Sequence, residues 1–419
     1  MNNNLILGYK LIMQYKIILI ILFTLSNIIF SQSEYEFLYR DNLRNGDVRA
    51  MGIGNSYLIT STSGMITGIN PAKLSHLNNS LEFSLSMKTN MERRSIIILD
   101  GWGEFLADTD YVFNDHNYFF GSFGFNYKYM SDNGSFGFGI CRKPYKSYDY
   151  IYEEEVRAER DYPDGYVGMK DPIIGYQVFK TEGMKYVNSI GAGYSIIVED
   201  LSSTRPLAVG FGINYIEAFY FKKSTYIDTL HNTFDSNFLD NFDDIIQLEE
   251  SSKDSSALET VLSIEIPVGN NITCYLSFQS LFNSVEEIFN QDTSSTVTSL
   301  GLELQPNSRT LIALQYQYGN EENNKFNIGF EYFPAKRIPI RAGLEFYEDD
   351  IGNISILTLG TGMKFNKLNF DVALNYYTTT HYSPNPLSEN FINFLDCDID
   401  CDKVTNNNLF ISTSLKWSF

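Results

Sequence analysis

Apolar residues recur at every second position in long runs from Leu81 to the end of the chain. In the run IPIRAGLEFY, 338–347, the apolar positions alternate with Arg341, Gly343 and Glu345. A period of two is typical of a β-strand with one apolar and one polar face. About fifteen such runs follow one another along the chain. Many extend over roughly ten to fourteen residues, longer than the ~5–6 of soluble sheets and long enough for a tilted strand to cross a bilayer, which takes ~9–11.

This pattern predicts an all-β chain that closes into an antiparallel transmembrane β-barrel. Short links such as 306–308 and 366–368 join some runs, and longer polar links separate others. Short turns on one side and long loops on the other are typical of outer-membrane barrels. The alternative is a soluble, secreted pair of β-sandwiches or a propeller, although the sequence has no blade-like repeat.

The first residues predict export. Lys16 precedes the short apolar run 17–30, and the small Ser31 follows it. A basic flank, a short apolar core and a small residue at its end predict a secretory signal peptide over residues 1–31, with Met13 as the better initiator. The alternative is a membrane-anchoring helix, for which the run is short of the ~20 residues required. Together with the strand pattern, export indicates the outer membrane of a Gram-negative-type bacterium.

The last run, 408–419, alternates apolar and polar residues and ends on an aromatic side chain. Trp417 and Phe419 lie on its apolar face. This ending resembles the C-terminal signal that the barrel assembly machinery of bacterial outer membranes reads. We therefore expect the lipid bilayer and that machinery as partners. The alternative is an ordinary strand that ends on Phe by chance.

The charge of the chain excludes one class of partner. Its formal net charge is −20, from 31 basic and 51 acidic residues. A protein that binds nucleic acid needs a basic face, so we expect no nucleic acid partner. The acidic stretches 147–165, 235–254 and 396–402 fall between long strands, and we expect extracellular loops there.

The stretch DCDIDCD near the C terminus carries two kinds of candidate site. Asp396, Asp398 and Asp400 present carboxylates of the type that Ca²⁺ binds, but the Gly and the distal Glu of an EF-hand loop are absent. The alternative is a solvated acidic loop. Cys397 and Cys401 form either a disulfide, which export permits, or two free thiols.

Catalytic motifs are missing from the sequence. It holds four His and has neither the GxSxG nucleophile elbow nor the HExxH zinc motif. The sequence therefore predicts a protein that is not an enzyme and needs no cofactor. Cys141 and Cys274 stand alone in strand-like runs, without the CxxC pairing of a zinc site.

A Gly-rich segment broken by proline precedes the first long strand. It combines an Arg-Ala pair, a Gly-x-Gly and, after an apolar stretch, Asn-Pro-Ala-Lys. This combination resembles the N-terminal region of the FadL/PorV-like outer-membrane β-barrel family, which includes PorV/PorQ-type proteins and long-chain fatty acid transport proteins. Ile69 stands where the family usually has Trp. Lys73 stands where the family often has Gly, and the resulting Asn-Pro-Ala-Lys resembles the PorV branch more than the FadL branch. The matching positions are Arg49, Ala50, Gly52, Gly54, Asn70, Pro71 and Ala72.

The resemblance implies a barrel of about 14 strands with an N-terminal hatch segment inside the lumen. We place the hatch, or plug, at residues 32–80 and the transmembrane barrel at residues 81–419. Pro71 lacks an N–H and suits a plug better than a central wall strand. Gly52 and Gly54 permit tight turns in a confined lumen. The alternative is a plain turn before the first strand.

The resemblance also implies two non-enzymatic functions. FadL-type members bind long-chain fatty acids or aromatic hydrocarbons and release them laterally through the wall, and abundant Tyr and Phe would line such an apolar path. PorV-type members serve type IX secretion by holding a secreted cargo protein at the cell surface. A transporter needs an apolar cavity, with an Arg or Lys for a carboxylate, whereas a shuttle needs an exposed apolar loop patch. We predict passage or binding of a hydrophobic ligand such as a fatty acid, with the PorV-type role as the alternative.

Overall fold

The computed structural model describes most of the chain from residue 46 onward. The described ranges are 46–102, 104–132, 134–157, 173–196, 206–229, 251–281, 285–286, 292–293, 296–319, 324–349, 352–383 and 402–419. The helices are α1 (Val48–Met51) and α2 (Tyr57–Thr60), followed by 3₁₀-helices at Gly64–Ile66 and Pro71–Ser75. The strands are β1 (Ser80–Leu99), β2 (Phe105–Ser131), β3 (Gly134–Ser147), β4 (Tyr150–Arg157), β5 (Ile173–Ile196), β6 (Leu207–Thr229), β7 (Ser251–Pro267), β8 (Ile272–Leu281), β9 (Val285–Glu286), β10 (Asp292–Thr293), β11 (Thr296–Asn307), β12 (Thr310–Gly319), β13 (Lys325–Ala335), β14 (Ile338–Asp349), β15 (Gly352–Phe365), β16 (Leu368–Ser383) and β17 (Asp402–Ser418).

The long strands form one closed antiparallel barrel. Neighbours pair in the order β3-β2-β1-β17-β16-β15-β14-β13-β12-β11-β8-β7-β6-β5. β3 then pairs with β5, from Ser135↔Ser195 to Ser147↔Met184, and this closes the ring. The ring has 14 strands, because β4 continues β3 along the same edge of β5, while β9 and β10 form a separate small sheet. The predicted antiparallel barrel of about 14 strands is confirmed.

The two faces of the wall differ as the alternation predicts. On β14, Ile340 is 55 % exposed, whereas the adjacent Arg341 and, further along, Glu345 are 1 % and 4 % exposed. Phe211 on β6 and Trp417 on β17 are likewise exposed on the outside. Apolar side chains therefore point outward, and polar side chains point into the lumen. Such an apolar belt around a closed barrel is stable against lipid, which makes the chain a barrel of the outer-membrane type.

The two ends of the barrel carry links of different length. Two-residue turns at 308–309, 336–337 and 366–367 join strands at the end where β1 begins and where Phe419 lies. Several links at the opposite end are longer, as between β16 and β17, although only two residues join β14 to β15 there. Because short turns face the periplasm in barrels of this type and long loops face the exterior, the end with Phe419 is the periplasmic one.

One expectation about the loops was wrong in part. The stretch 147–165, which we expected to be an extracellular loop, contributes β4. Its backbone pairs with β5, and Tyr150 and Tyr152 are fully buried, which stabilises this charged segment against the wall.

The wall has a gap between β2 and β3. Their ladder runs from Ser131↔Gly134 to Phe123↔Arg142. Toward the extracellular end, the described residues of β2 pair only with β1, and those of β3 and β4 pair only with β5. Pro144 follows two residues after the last pair, and its missing N–H disfavours a continued ladder. The backbones of β2 and β3 therefore separate in the outer half of the barrel.

Residues 46–79, which we call the inner segment, lie inside the barrel. No helix in the described part of the chain is long and apolar enough to cross a membrane. Glycines of the wall let the inner segment lie directly against the strand backbones. A Cβ on Gly210 would lie 2.0 Å from the amide nitrogen of Ala72, and one on Gly343 would lie 2.3 Å from that of Gly54.

Gly210→Ala is expected to destabilise the barrel by about 1–3 kcal/mol, the usual cost of overpacking a filled interior. Ala72 cannot easily move aside, because its amide donates to Ser263 Oγ at 2.9 Å. The free energy of unfolding of the refolded barrel is the measurement. Gly121→Ala is the control, since the nearest atom to a Cβ there is Ser84 O at 4.0 Å. Equal stability of the two variants would show that the inner segment does not lie against β6.

Candidate ligand chamber in the barrel lumen

The inner segment forms a floor across the lumen. Asn55 donates to Glu345 Oε2 at 2.6 Å, and its own Oδ1 lies 3.0 Å from the amide nitrogen of Asn375, which donates to it. Gly54 donates its N–H to Thr358 Oγ1 at 2.9 Å. Its φ of 65° lies in the left-handed region, where glycine is favoured. These contacts fix the height of the floor on β14, β15 and β16.

A cluster of buried apolar side chains, which we call the chamber, lies directly above this floor. Tyr347 and Tyr377 lie two residues beyond Glu345 and Asn375 toward the extracellular end of their strands, and both side chains are buried. Aromatic and branched side chains from β2, β15 and β17 meet them in one cluster. The chamber residues are Tyr118, Phe120, Tyr347, Ile354, Ile356, Tyr377 and Phe410.

A lysine borders the chamber. Lys88 lies on the lumen face of β1, is fully buried, and is flanked in the sheet by Tyr118 and Phe410. Its Nζ lies 5.2 Å from the centroid of the Phe410 ring and 6.0 Å from that of Tyr118. Ring faces attract a cation. A buried ammonium group also attracts any anion that reaches it, because the low dielectric of the interior strengthens the interaction.

Three asparagines extend the polar end of the chamber beside Lys88. Asn90 on β1 pairs with Asn408 on β17, and Asn406 lies two residues further along β17. All three are fully buried, and their amide atoms have no hydrogen-bond partner among the residues that the structure describes. Buried polar groups are nearly always hydrogen-bonded. These amides therefore indicate a site for a polar group inside the lumen.

A polar cluster closes the chamber toward the gap in the wall. Glu92 Oε1 accepts a hydrogen bond from the Tyr150 hydroxyl at 3.2 Å and pairs with Arg94 at 2.8 Å. Arg94 also reaches Asp402 at 3.4 Å, and Tyr111 donates to the same carboxylate at 2.5 Å. The cluster joins β1, β2, β4 and β17 through side chains and gives the chamber a hydrogen-bonding rim on its outer side.

Arg49 fastens the inner segment to the wall. Its guanidinium donates to both carboxylate oxygens of Glu331, at 2.6 and 3.0 Å, and to the carbonyl of Thr60. Arg341 binds the same carboxylate at 2.7 Å and Asp371 at 2.6 Å. Burial opposes the charge of Arg49, but the adjacent Glu331 outweighs it and raises the pKa of Arg49 above its usual value.

The Asn-Pro-Ala motif lies within the inner segment and outside the set of chamber residues. Pro71 begins the second 3₁₀-helix. The Asn70 side chain donates to the carbonyl of Leu58 at 3.0 Å and so joins two parts of the segment. Ala72 is held by Ser263 on β7. The motif positions the inner segment in the lumen, and its role as a hatch stays a prediction.

Gly52 and Lys73 also face the interior of the barrel. Gly52 ends α1, and a Cβ there would lie 2.9 Å from the Cα of Gly360. Lys73 donates to the carbonyl of Ile59, and its Nζ lies 5.2 Å from the centroid of the Tyr275 ring. Burial lowers the pKa of Lys73. Lys73, which favoured the PorV branch in sequence, is thus an internal contact of the barrel.

Trp417 and Phe419 lie at the periplasmic end of the barrel, with ring centroids 5.4 Å apart. Their role as an assembly signal stays a prediction. Cys141 is buried and Cys274 half-buried, and the residues described form no cluster of His, Cys, Asp and Glu suited to a metal ion. Several predicted features lie outside the described residues: the signal peptide with Met13, the calcium candidates Asp396, Asp398 and Asp400, and the pair Cys397 and Cys401.

Lys88 and the three buried asparagines were missed as functional residues by sequence reasoning. The alternation already places Lys88 on the polar face of the first strand. A signal in the sequence could have identified it. Ser84 and Ser86 precede Lys88 on the same lumen face, and two small side chains leave room for a lysine to point into the lumen. No comparable signal distinguishes Asn90 from an ordinary polar lumen residue.

Comparison with solved structures identifies the fold. The crystal structure of a FadL homologue from Pseudomonas aeruginosa is similar over 91 % of this chain and 99 % of its own, with a TM-score of 0.57 and 10 % sequence identity. The toluene transporter TodX of P. putida is similar over 90 % of this chain and 98 % of its own, with a TM-score of 0.51 and 11 % identity. No protein-family model matches the sequence, and no curated protein is similar to it in sequence. The chain therefore has the fold of FadL-type barrels.

Proposed function

We propose that this barrel binds hydrophobic small molecules with a polar head group and passes them across the outer membrane. The observation that supports the proposal is the chamber, whose aromatic wall meets Lys88 and three buried amides at one end. An apolar cavity with a few convergent polar groups is the usual form of a small-molecule site. A protein with a similar fold is a toluene transporter. A long-chain fatty acid, with an apolar tail and a carboxylate, matches the chemistry of both parts of the chamber.

The gap between β2 and β3 provides the exit route in this proposal. Asn114 on β2 donates to the carbonyl of Ile151 on β4 at 2.9 Å, a side-chain contact in the region where the ladder has ended. Opening here breaks side-chain hydrogen bonds, whereas parting two paired strands breaks a whole series of backbone bonds. The floor is held to the wall by Arg49 and by backbone contacts, so lateral release into the membrane is favoured over axial passage.

Ligand binding and uptake test the proposal together. The purified barrel should bind a long-chain fatty acid saturably in detergent. In a Gram-negative strain that lacks its own fatty acid channel, expression of the barrel should raise uptake of that fatty acid and leave the uptake of a small sugar unchanged. A barrel that binds neither a fatty acid nor toluene, or that admits the sugar equally well, would contradict the proposal.

Asn114→Ala is expected to speed fatty acid uptake several-fold. Loss of one hydrogen bond across the gap, worth about 1 kcal/mol, shifts the balance between closed and open gap by roughly fivefold. Initial uptake rates at equal surface expression are the measurement. Asn117→Ala is the matched control on the same strand, because Asn117 accepts a hydrogen bond from Thr89 at 2.6 Å and does not bridge the gap. Equal rates for both variants would argue against the gap as the route.

A second candidate function, a PorV-type accessory role in secretion, is favoured by the tip of the β1–β2 hairpin. Trp102 is 90 % exposed, Phe105 64 % and Leu106 65 %. Arg93 and Asp115 form an ion pair on the outer face of the same two strands, closer to the middle of the barrel than the tip is. Charged side chains on the outer face indicate water at that height, so the tip beyond them extends into water. An exposed apolar patch of this kind is typical of a protein-binding surface.

The two functions predict different results for a variant in which Trp102, Phe105 and Leu106 are replaced by serine. If the barrel is a shuttle, secreted proteins should lose their attachment to the cell surface while fatty acid uptake stays normal. If it is a transporter alone, both uptake and surface attachment should remain at the level of the unmodified barrel.

A further inference from the structure

A pocket of about 390 Å³ opens at the periplasmic mouth, between the inner segment and the turns that join the strands. Three arginines and two lysines line it, against two carboxylates. This excess is notable in a chain whose formal net charge is −20. The charged lining residues are Arg49, Arg309, Arg341, Lys364, Lys416, Glu331 and Asp371.

The two carboxylates are already engaged by two of the cations. Glu331 lies between Arg49 and Arg341, and Asp371 binds Arg341. The remaining cations, Lys364, Lys416 and Arg309, are therefore the source of the excess charge in the pocket.

The contacts of these cations leave their charge available. The ammonium of Lys364 packs on the ring of Phe333, 5.0 Å from its centroid, and the side chain is exposed in the mouth. Lys416 donates to the hydroxyl and the carbonyl of Thr62, at 2.8 and 3.0 Å, both neutral acceptors. Glu82 pairs with Lys416 in the strand register, and the cations still outnumber the carboxylates when it is included.

The shape of the pocket places the free cations around one space. Lys364 and Lys416 both face Asn369, as its register partners on the two strands that flank it. Arg309 lines the same pocket from the turn between β11 and β12. Like charges that line a concave wall of low dielectric focus a positive potential into it. A small group with several anionic oxygens could be approached by all three cations.

We propose that this basic pocket binds a phosphate group presented from the periplasmic side. Inside the pocket the oxygens would accept from Lys364, Lys416 and the Arg309 guanidinium, with the Asn369 amide as a further donor. The phosphate belongs either to a soluble molecule or to the head group of an inner-leaflet phospholipid. The site is separate from the chamber, because the inner segment lies between them.

Binding would also stabilise the inner segment in place. Arg49 and Thr62 belong to the inner segment, whereas Lys364, Lys416 and Arg309 belong to the wall. A ligand bound by these wall cations that also reaches Arg49 or Thr62 binds the assembled arrangement better than an arrangement in which the inner segment has moved, so it shifts the equilibrium toward the former. The pocket thereby links a periplasmic anion to the position of the inner segment.

Two arms of one experiment test the proposal and distinguish the two sources of phosphate. In the first, inorganic pyrophosphate is titrated into the lipid-free barrel in detergent, at constant ionic strength, and followed by calorimetry. In the second, the melting temperature of the barrel is measured in nanodiscs with phosphatidylglycerol and in nanodiscs without it. Lys364→Gln removes one free cation at an exposed position. Lys367→Gln removes a neighbouring turn cation that does not line the pocket.

A soluble ligand predicts saturable pyrophosphate binding that weakens about tenfold or more in Lys364→Gln and is unchanged in Lys367→Gln. A lipid ligand predicts no pyrophosphate binding, but a rise in melting temperature with phosphatidylglycerol that is lost in Lys364→Gln alone. The proposal is overturned if neither arm depends on Lys364. It is also overturned if Lys367→Gln has the same effect, because binding would then depend on the general positive charge of the periplasmic turns and not on the pocket.

Discussion

Glu331→Gln is expected to lower the free energy of unfolding of the barrel by about 3–5 kcal/mol, the usual cost of removing one partner from a buried ion pair. The Glu331 carboxylate is shared by Arg49 of the inner segment and Arg341 of β14, and both guanidiniums would lose it at once. Arg341 retains Asp371, whereas Arg49 retains only the carbonyl of Thr60 among the contacts described here. The inner segment should therefore loosen before the wall does.

Chemical unfolding and limited proteolysis measure the two parts of this prediction. The unfolding midpoint reports the whole barrel, and cleavage within residues 46–79 reports the inner segment. Asp115→Asn is the control, because Asp115 pairs with Arg93 on the exposed outer face, where an ion pair contributes about 0–1 kcal/mol. If Glu331→Gln were no more destabilising than Asp115→Asn, Arg49 would not be the anchor of the inner segment.

The faces of the strands could be predicted from the sequence because alternation is a local property. Arg341 and Glu345 point into the lumen and Ile340 outward, as the run 338–347 predicts. The gap in the wall could not be predicted in this way. β2 keeps a strand pattern along its whole length, and only its partner on one side changes, which is a property of long-range pairing. Pro144 is a local sign of the gap but is equally compatible with an edge strand.

The inner segment could be predicted in outline from its motif. Pro71 and the glycines indicate a departure from strand structure, and the resemblance to FadL-type proteins implied a position inside the lumen. The sequence does not indicate that Gly210 receives Ala72 or that Gly343 receives Gly54. These contacts depend on the register of strands that are distant in the sequence, so they follow only from the closed barrel. The same reason applies to Arg49 and Glu331, whose charges are far apart in the chain.

Lys88→Met is expected to weaken the binding of a long-chain fatty acid by a factor of about 30 or more. Loss of a buried charged partner costs about 2 kcal/mol or more, and each 1.4 kcal/mol corresponds to a tenfold change in affinity. Methionine keeps the length and apolar stem of lysine, so the chamber should stay filled and the barrel should fold. Toluene carries no head group, and its affinity should be unchanged. Titration of both ligands into the same purified variant is the measurement.

The comparison of two ligands separates the loss of the ammonium from damage to the chamber. Lys128→Met is the matched control. Lys128 lines a second cavity at the periplasmic end, distinct from the basic pocket and separated from the chamber by the inner segment, so its loss should leave both affinities unaltered. A distorted chamber would weaken toluene and the fatty acid together in Lys88→Met. A fatty acid affinity that does not change in Lys88→Met would place the carboxylate elsewhere in the lumen. A weaker affinity for the fatty acid with an unchanged affinity for toluene would identify the polar end of the chamber as the site that selects ligands with an anionic head group.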